Sequence, residues 1–495
     1  MKAQSLSRQQ RLYKKRERKR TRRIRKLRKA KELARDLLFQ FKLTLNHFFP
    51  KLDRWLGDIE DPRQSGKIKY GIQEMMWIGL LIICTPTESM NEYNEDFFTE
   101  EAVENLNRVF HLKLKRIPDR GTLANLWKKL SHEELEKLRR AMIQTLIRSR
   151  SLERFRVFGR YLVAIDGVET HRFNSQHCPH CLHTTTQSLP RTRSGGKTQY
   201  FHRILEAKLI CDNGLTISIG SEFIENSDSD KEEDNKKEDD KQDCELKAFY
   251  RLASRLKADY PRLPITLLMD AMFSVGPVFQ RCRENDWRYI ITLKDGNLPS
   301  VWQEFEAISK LDLQQLLDQV GFEKDGKQTG FGKYQWVNEI AYKGKEFDGF
   351  VNVVVVYYSE EKSSKPCKYA FITDIPINCD NVREVITFGR KRWKIENEGF
   401  NTQKNGVYEL EHLYSKDPNG MKIVYLLIQI GHLLNQLVIL ADLIKAKKVH
   451  QIDTLKSFLQ RLKEALIALI WDEEMTNLWQ HLQKRRFQAR WDPDP

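Results

Sequence analysis

The chain has little cysteine: eight residues in 495, of which only Cys178 and Cys181 lie close together. That scatter excludes the dense disulfide framework of a small secreted protein. Uninterrupted apolar runs long enough to span a bilayer are also missing. "MMWIGLLIIC" (75–84) is too short, and "IVYLLIQIGHLLNQLVILADLI" (423–444) carries Gln429, His432, Asn435 and Gln436, which marks a buried helix. The amino terminus is cationic but no apolar stretch follows it, so neither a signal peptide nor membrane insertion is expected. Acid is in deficit, with 68 Asp and Glu against 84 Lys and Arg, a net charge of +16 and a pI of ≈ 9.3. A balance that basic points to a polyanionic partner, either nucleic acid or an acidic membrane surface. What is present, 40% hydrophobic residues over 495 positions, is enough for two or three domains with a large core.

Composition then changes along the chain. Residues 8–35 are nearly all basic or polar, so 1–35 reads as a basic tail that orders as a helix against phosphates. From 36 to 155, "ARDLLFQFKLTLNHFF", "IQEMMWIGLLI" and "SHEELEKLRRAMIQTLIRSRSLERF" carry helical periodicity, with "DPRQSGK" (61–67) as a turn. This is the expected helical DNA-binding region. Strand patterns follow. In "RYLVAIDGVETHRF" (160–173) an apolar run leads into Asp166, at the expected tip of a buried strand. "QYFHRILEAKLICDNGLTISIGSEFI" (199–224) is two strands joined at Asp212-Asn213-Gly214, a strong hairpin signal. Residues 226–243 are dense in charge and read as a flexible loop. A helix over 244–260 follows, with Asp243 as its N-cap. "PITLLMDAMFS" (264–274) is a second apolar strand ending in an acid, Asp270, and a helix and the strand "WRYIITLKDG" come next. Residues 300–380 read as a β-rich insertion. Helix returns at 381–405 and 421–445, and 446–495 is helical and basic.

Strand, hairpin partner, third strand, helix, strand, helix, strand and late helix is the order of an α/β ribonuclease H-like mixed sheet with flanking helices. Residues 156–299 and 381–445 are then its two halves. In that topology Asp166 and Asp270 end adjacent central strands, and the late helix brings a third acid beside them. Clustered carboxylates raise one another's pKa, and divalent cations remove that cost. Hard oxygen donors suit Mg²⁺ or Mn²⁺, and a pair of such ions catalyses in-line phosphodiester displacement.

"VAIDG", "LLMDAMF" and "RKRWKIENEGFNTQKN" resemble the three catalytic blocks of the DDE transposases of bacterial insertion sequences, in particular the group with a Y-x2-R-x3-E-x6-K signature and a β-rich insertion before the glutamate. "IEDPRQSGKIKYGIQEMM" is similar to the region such proteins carry ahead of the catalytic domain. The resemblance implies that Asp166, Asp270 and Glu396 are catalytic and hold Mg²⁺ (or Mn²⁺), and that Arg392 and Lys404 contact DNA. It implies a DNA transposase cutting and rejoining strands at the ends of a mobile element. Its partners would be double-stranded terminal inverted repeats and target DNA, bound as a homodimer in the bacterial cytoplasm at the nucleoid. Arg392 and Glu396, four apart, share a helical face, where the arginine holds a phosphate or orients the acid. Glu398 is the competing ligand; on an α-helix it projects about 200° from Glu396. The chain departs from the signature twice: Gly389 stands at the tyrosine, and Gln403 at the lysine, with Lys404 next to it. Two other readings are a ribonuclease H-like nucleic-acid-binding protein without catalysis and a metal-dependent nuclease of the same fold.

A separate cluster lies in "HRFNSQHCPHCLH" (171–183). Cys178 and Cys181 form a C-x2-C pair among His171, His177, His180 and His183, with His202 on the next strand. Thiolate and imidazole suit one structural Zn²⁺, with His202 as third ligand and the fourth open among the nearby histidines, against free thiols in a flexible loop.

Overall fold

The helix of the basic segment does not stop at residue 35. In the computed structural model, which describes residues 8–185, 198–226, 242–311, 316–324, 327–360, 367–440, 454–485 and 491, one helix, α1, runs from Arg8 to Phe48. At 41 residues it is a rod about 60 Å long. Its two halves behave as their composition dictates. Lys15–Lys26 offers no apolar stripe and is almost entirely exposed, whereas Leu37, Leu38, Phe39, Phe41 and Leu45 are buried. The charged segment expected as a loop at 226–243 lies almost wholly outside the described residues.

The chain forms two compact units: Met1–Leu135 with Gly406–Tyr408 and Tyr414–Pro495, and Glu136–Asn405 with Glu409–Leu413. The first is helical. After α1 come α2 (Leu52–Gly57), α3 (Ile72–Cys84), α4 (Met90–Asp96), α5 (Glu100–Phe110) and α6 (Arg120–Lys129), then the late helices Pro418–Leu440, Leu455–Ala468 and Glu473–Lys484. Side-chain caps set several starts: Ser89 accepts from the Glu92 amide, Thr99 from Ala102 and Asp119 from Thr122. Helix Pro418–Leu440 is long and apolar enough to cross a membrane, yet it is largely buried in this unit. Its Asn435 donates to the Cys84 carbonyl and the Tyr408 hydroxyl, which explains polar residues in an apolar run. This helix was expected to close the sheet domain at 445; it belongs to the helical unit instead. α7 (His132–Arg148) likewise passes into the sheet unit at Glu136, so the helical front region ends well before 155.

The second unit is a mixed α/β structure. Its strands are β1 (Tyr161–Phe173), β2 (Leu182–Thr185), β3 (Thr198–Ile210), β4 (Thr216–Ile224), β5 (Ile265–Met269), β6 (Arg288–Thr292), β7 (Leu316–Lys324), β8 (Lys327–Gly344), β9 (Phe347–Glu360) and β10 (Cys367–Thr373). They lie in the order β2-β3-β1-β5-β6-β10-β9-β8-β7, and β4 also pairs with β3. The pairs β1–β5 and β5–β6 are parallel; β3 runs antiparallel to β1 and to β4. The β3–β4 hairpin turns at Asn213-Gly214 as expected, with the Leu215 amide on Asn213 Oδ1. Helices α8 (Glu245–Asp259), α9 (Gly276–Glu284), α10 (Pro299–Leu311) and α11 (Val382–Arg390) flank the sheet.

One expectation is corrected here and another is placed in the sheet. Residues 300–380, read as a β-rich insertion, hold α10 and β7–β10, and because β10 pairs antiparallel with β6 these strands continue the same sheet. Asp243 is not the N-cap of α8, because that position falls to Cys244. The Asp243 carboxylate instead binds Arg251 at 2.6 Å.

Candidate active site

The parallel pairing of β1 with β5 ends at Ala164↔Leu268. Two residues beyond that pair on each strand stand Asp166 and Asp270, so the register brings the two acids level where the parallel pairing ends. Asp166 is not at the tip of its strand. β1 continues to Phe173 because β3 still pairs with it, with Asp166 opposite Glu206. Asp270 does end β5, and one carboxylate oxygen accepts the Met272 amide at 3.1 Å, capping the short turn Ala271–Phe273.

The third acid arrives differently from expectation. α11 ends at Arg390, the chain turns, and Ile395–Asn401 forms a π-helical turn rather than regular α-helix. Partners therefore decide between the two glutamates. Glu398 pairs with Lys394 at 3.3 Å. Glu396 carries its charge toward Asp166. Burial pushes the Asp166 carboxyl above the ordinary range, Arg392 opposes this, and the negative charges of Asp270 and Glu396 raise it further. Asp270 and Glu396 are thus each within electrostatic reach of Asp166.

Arg392 donates from Nη1 to Asp166 Oδ2 at 2.6 Å, so its guanidinium orients the acid and does not stand open to solvent. Lys404 pairs with Glu411 at 3.1 Å. One departure from the signature has a steric reason. A Cβ at Gly389 would lie 2.6 Å from the Phe371 ring, which leaves no room for a tyrosine. Gln403 is fully buried, with Lys404 beside it nearer the surface.

One neighbour escaped the sequence reading. Glu245, the first residue of α8, is a largely buried carboxylate whose pKa is raised by burial and by the charges of Asp166 and Asp270, against the pull of Arg203. It lies against Gly167, where a Cβ would come within 2.3 Å of its Oε1. The glycine after Asp166 was visible as "DG"; nothing local marked the glutamate that needs its space.

Beside Asp270 and Arg392 opens a groove of ≈ 490 Å³. Lys294, Lys368 and Arg390 supply positive charge to it, and Trp393, 58% exposed, forms part of the wall. Cations and an aromatic face next to clustered acids can hold a sugar-phosphate strand by charge and stacking. In the β1–β2 connection, Cys178 Sγ and Cys181 Sγ lie 3.6 Å apart, each 3.5 Å from Nε2 of His202 on β3. No protein-family model matches the chain, nor does any curated protein.

Proposed function

We propose that the chain is a DDE-type transposase with a ribonuclease H-like catalytic domain, performing metal-dependent cleavage and transfer of DNA strands. The observation that carries this is that Asp166 and Asp270 follow the last parallel pair of the central strands β1 and β5, with the charge of Glu396 reaching Asp166. The strand order β4-β3-β1-β5-β6, with β3 alone antiparallel among the five, supports the fold part of the reading.

The donor set suits Mg²⁺ or Mn²⁺ in kind, carboxylate oxygens only, with the Arg392 guanidinium offsetting part of the repulsion at Asp166. Bound there, such ions would activate a water or 3′-hydroxyl and stabilise the leaving oxygen. The protein's own groups do the rest. Arg392 orients Asp166 and opposes the rise in its pKa. The cationic groove holds the strand entering the acids, and Trp393 offers a stacking face to an unpaired base. The DNA partners are the element's terminal repeats and a target, taken by two copies of the chain.

The test is a cleavage and strand-transfer assay on duplexes carrying the DNA that flanks this coding sequence, with Mg²⁺. Asp166→Ala, Asp270→Ala and Glu396→Ala should each abolish both products, with circular dichroism and DNA binding retained; Glu398→Ala should stay active. Full activity of Glu396→Ala would overturn the assignment of the third acid. Cleavage of any duplex without joined product would favour a nuclease of the same fold, and binding without cleavage a non-catalytic protein.

A further inference from the structure

We propose that Cys178, Cys181 and His202 bind one zinc ion, in a site separate from the carboxylates and independent of the catalytic reading. A tetrahedral zinc with bonds of about 2.3 Å to sulfur and about 2.0–2.1 Å to nitrogen has S···S edges of about 3.8 Å and S···N edges of about 3.5 Å. The triangle in this protein measures 3.6, 3.5 and 3.5 Å. The ligand atoms already stand where a zinc would need them.

A disulfide explains the arrangement less well. Its sulfurs would have to close to about 2.05 Å, and it would give no reason for an imidazole nitrogen equally distant from both. The local structure holds the triangle from every side. The Cys181 amide donates to the Cys178 carbonyl at 3.3 Å, which closes the C-x2-C turn. Asn226, just past β4, donates from Nδ2 to the Cys181 carbonyl at 2.9 Å. His202 sits on β3 opposite His171 of β1, with its ring edge-on to Phe173. Both cysteines are buried, so their thiolates would be shielded once metal-bound. Among the described residues no fourth donor joins the three. Zinc here would tie the β1–β2 connection to β3, clamping the strand pair that carries Asp166.

The experiment is metal analysis of the full-length protein purified under reducing conditions. About one zinc per chain is expected, falling below about one tenth in the Cys178→Ser/Cys181→Ser protein. Cys244→Ser and Cys367→Ser, at exposed cysteines elsewhere, should keep it, as should Asp166→Ala, which separates this site from the catalytic one. Because the double variant could misfold, Co²⁺ is also added to metal-stripped wild-type protein. Intense visible bands and a thiolate-to-cobalt charge-transfer band are expected. Their absence, zinc retained by the double variant, or a Cys178–Cys181 disulfide in fresh protein would each overturn the proposal.

Discussion

Lys208 is the most costly single residue in the sheet unit. It is wholly buried on β3, its ammonium 4.9 Å from the centre of the Phe400 ring and without a hydrogen-bond partner among the described residues. Burial lowers its pKa from 10.5 to about 8; Glu206 opposes this and Arg139 adds to it. It lies under the π-helical turn that carries Glu396, 3.3 Å from where a Cβ of Gly399 would stand. Below pH 8 the folded protein must hold this charge out of water, and the fall from 10.5 to about 8 corresponds to about 3 kcal/mol of lost stability. Between that pH and 10.5 the unfolded chain binds a proton that the folded chain has released, so this group makes stability rise with pH. Lys208→Met should therefore raise stability by about 2–3 kcal/mol at pH 7, with the gain shrinking as pH approaches 10. Denaturant titrations of both proteins at several pH values would measure it. A gain that did not vary with pH would mean that packing, not charge, is the cause.

At the level of elements, α7 is held to the β3–β4 hairpin by buried charge. Arg139 donates to Ser218 and Ser221 at 2.6 Å each and to Glu136, while Glu206 accepts from both serines. Removing one member strands the others: Arg139→Met leaves two buried carboxylates and should cost about 3–5 kcal/mol, part of which Glu136→Met in the same chain should return. Equal stability of wild type and Arg139→Met would show that the network contributes nothing net. The sequence made some of these elements legible and hid others. The β3–β4 hairpin could be read because Asn213-Gly214 sets the turn locally, and β1 and β5 because apolar runs end at acids. The convergence of Asp166 with Asp270 was readable only through the order of elements. What could not be read depends on distant partners: β7–β10 joining the sheet through β6, the apolar helix of 418–440 leaving it, and Glu245 meeting Gly167. The π-helical turn was also hidden, since "KIENEGFN" fits an α-helix equally well by composition.

Over the whole molecule, charge is distributed as unevenly as structure. The net +16 is concentrated at one end by α1, whose Lys15–Lys26 stretch projects cationic side chains into solvent while its later turns are anchored by Leu37, Phe39 and Phe41. A helix half with charge but no apolar face can meet phosphates along a groove or across it, and each one neutralised releases a counterion. Such contacts position a protein on DNA without reading bases. Removing residues 1–35 should leave the fold standing, because the buried turns lie beyond the cut and the lost Lys31–Asp472 pair is exposed. We expect the shortened protein to bind element ends and random duplex more weakly by similar factors, with a clearly shallower slope of log affinity against log salt. Base discrimination should persist, carried by the remaining helices of the amino-terminal region. Fluorescence anisotropy on both duplexes across a salt series decides the matter: loss of preference for the element ends with an unchanged slope would show that α1 reads sequence.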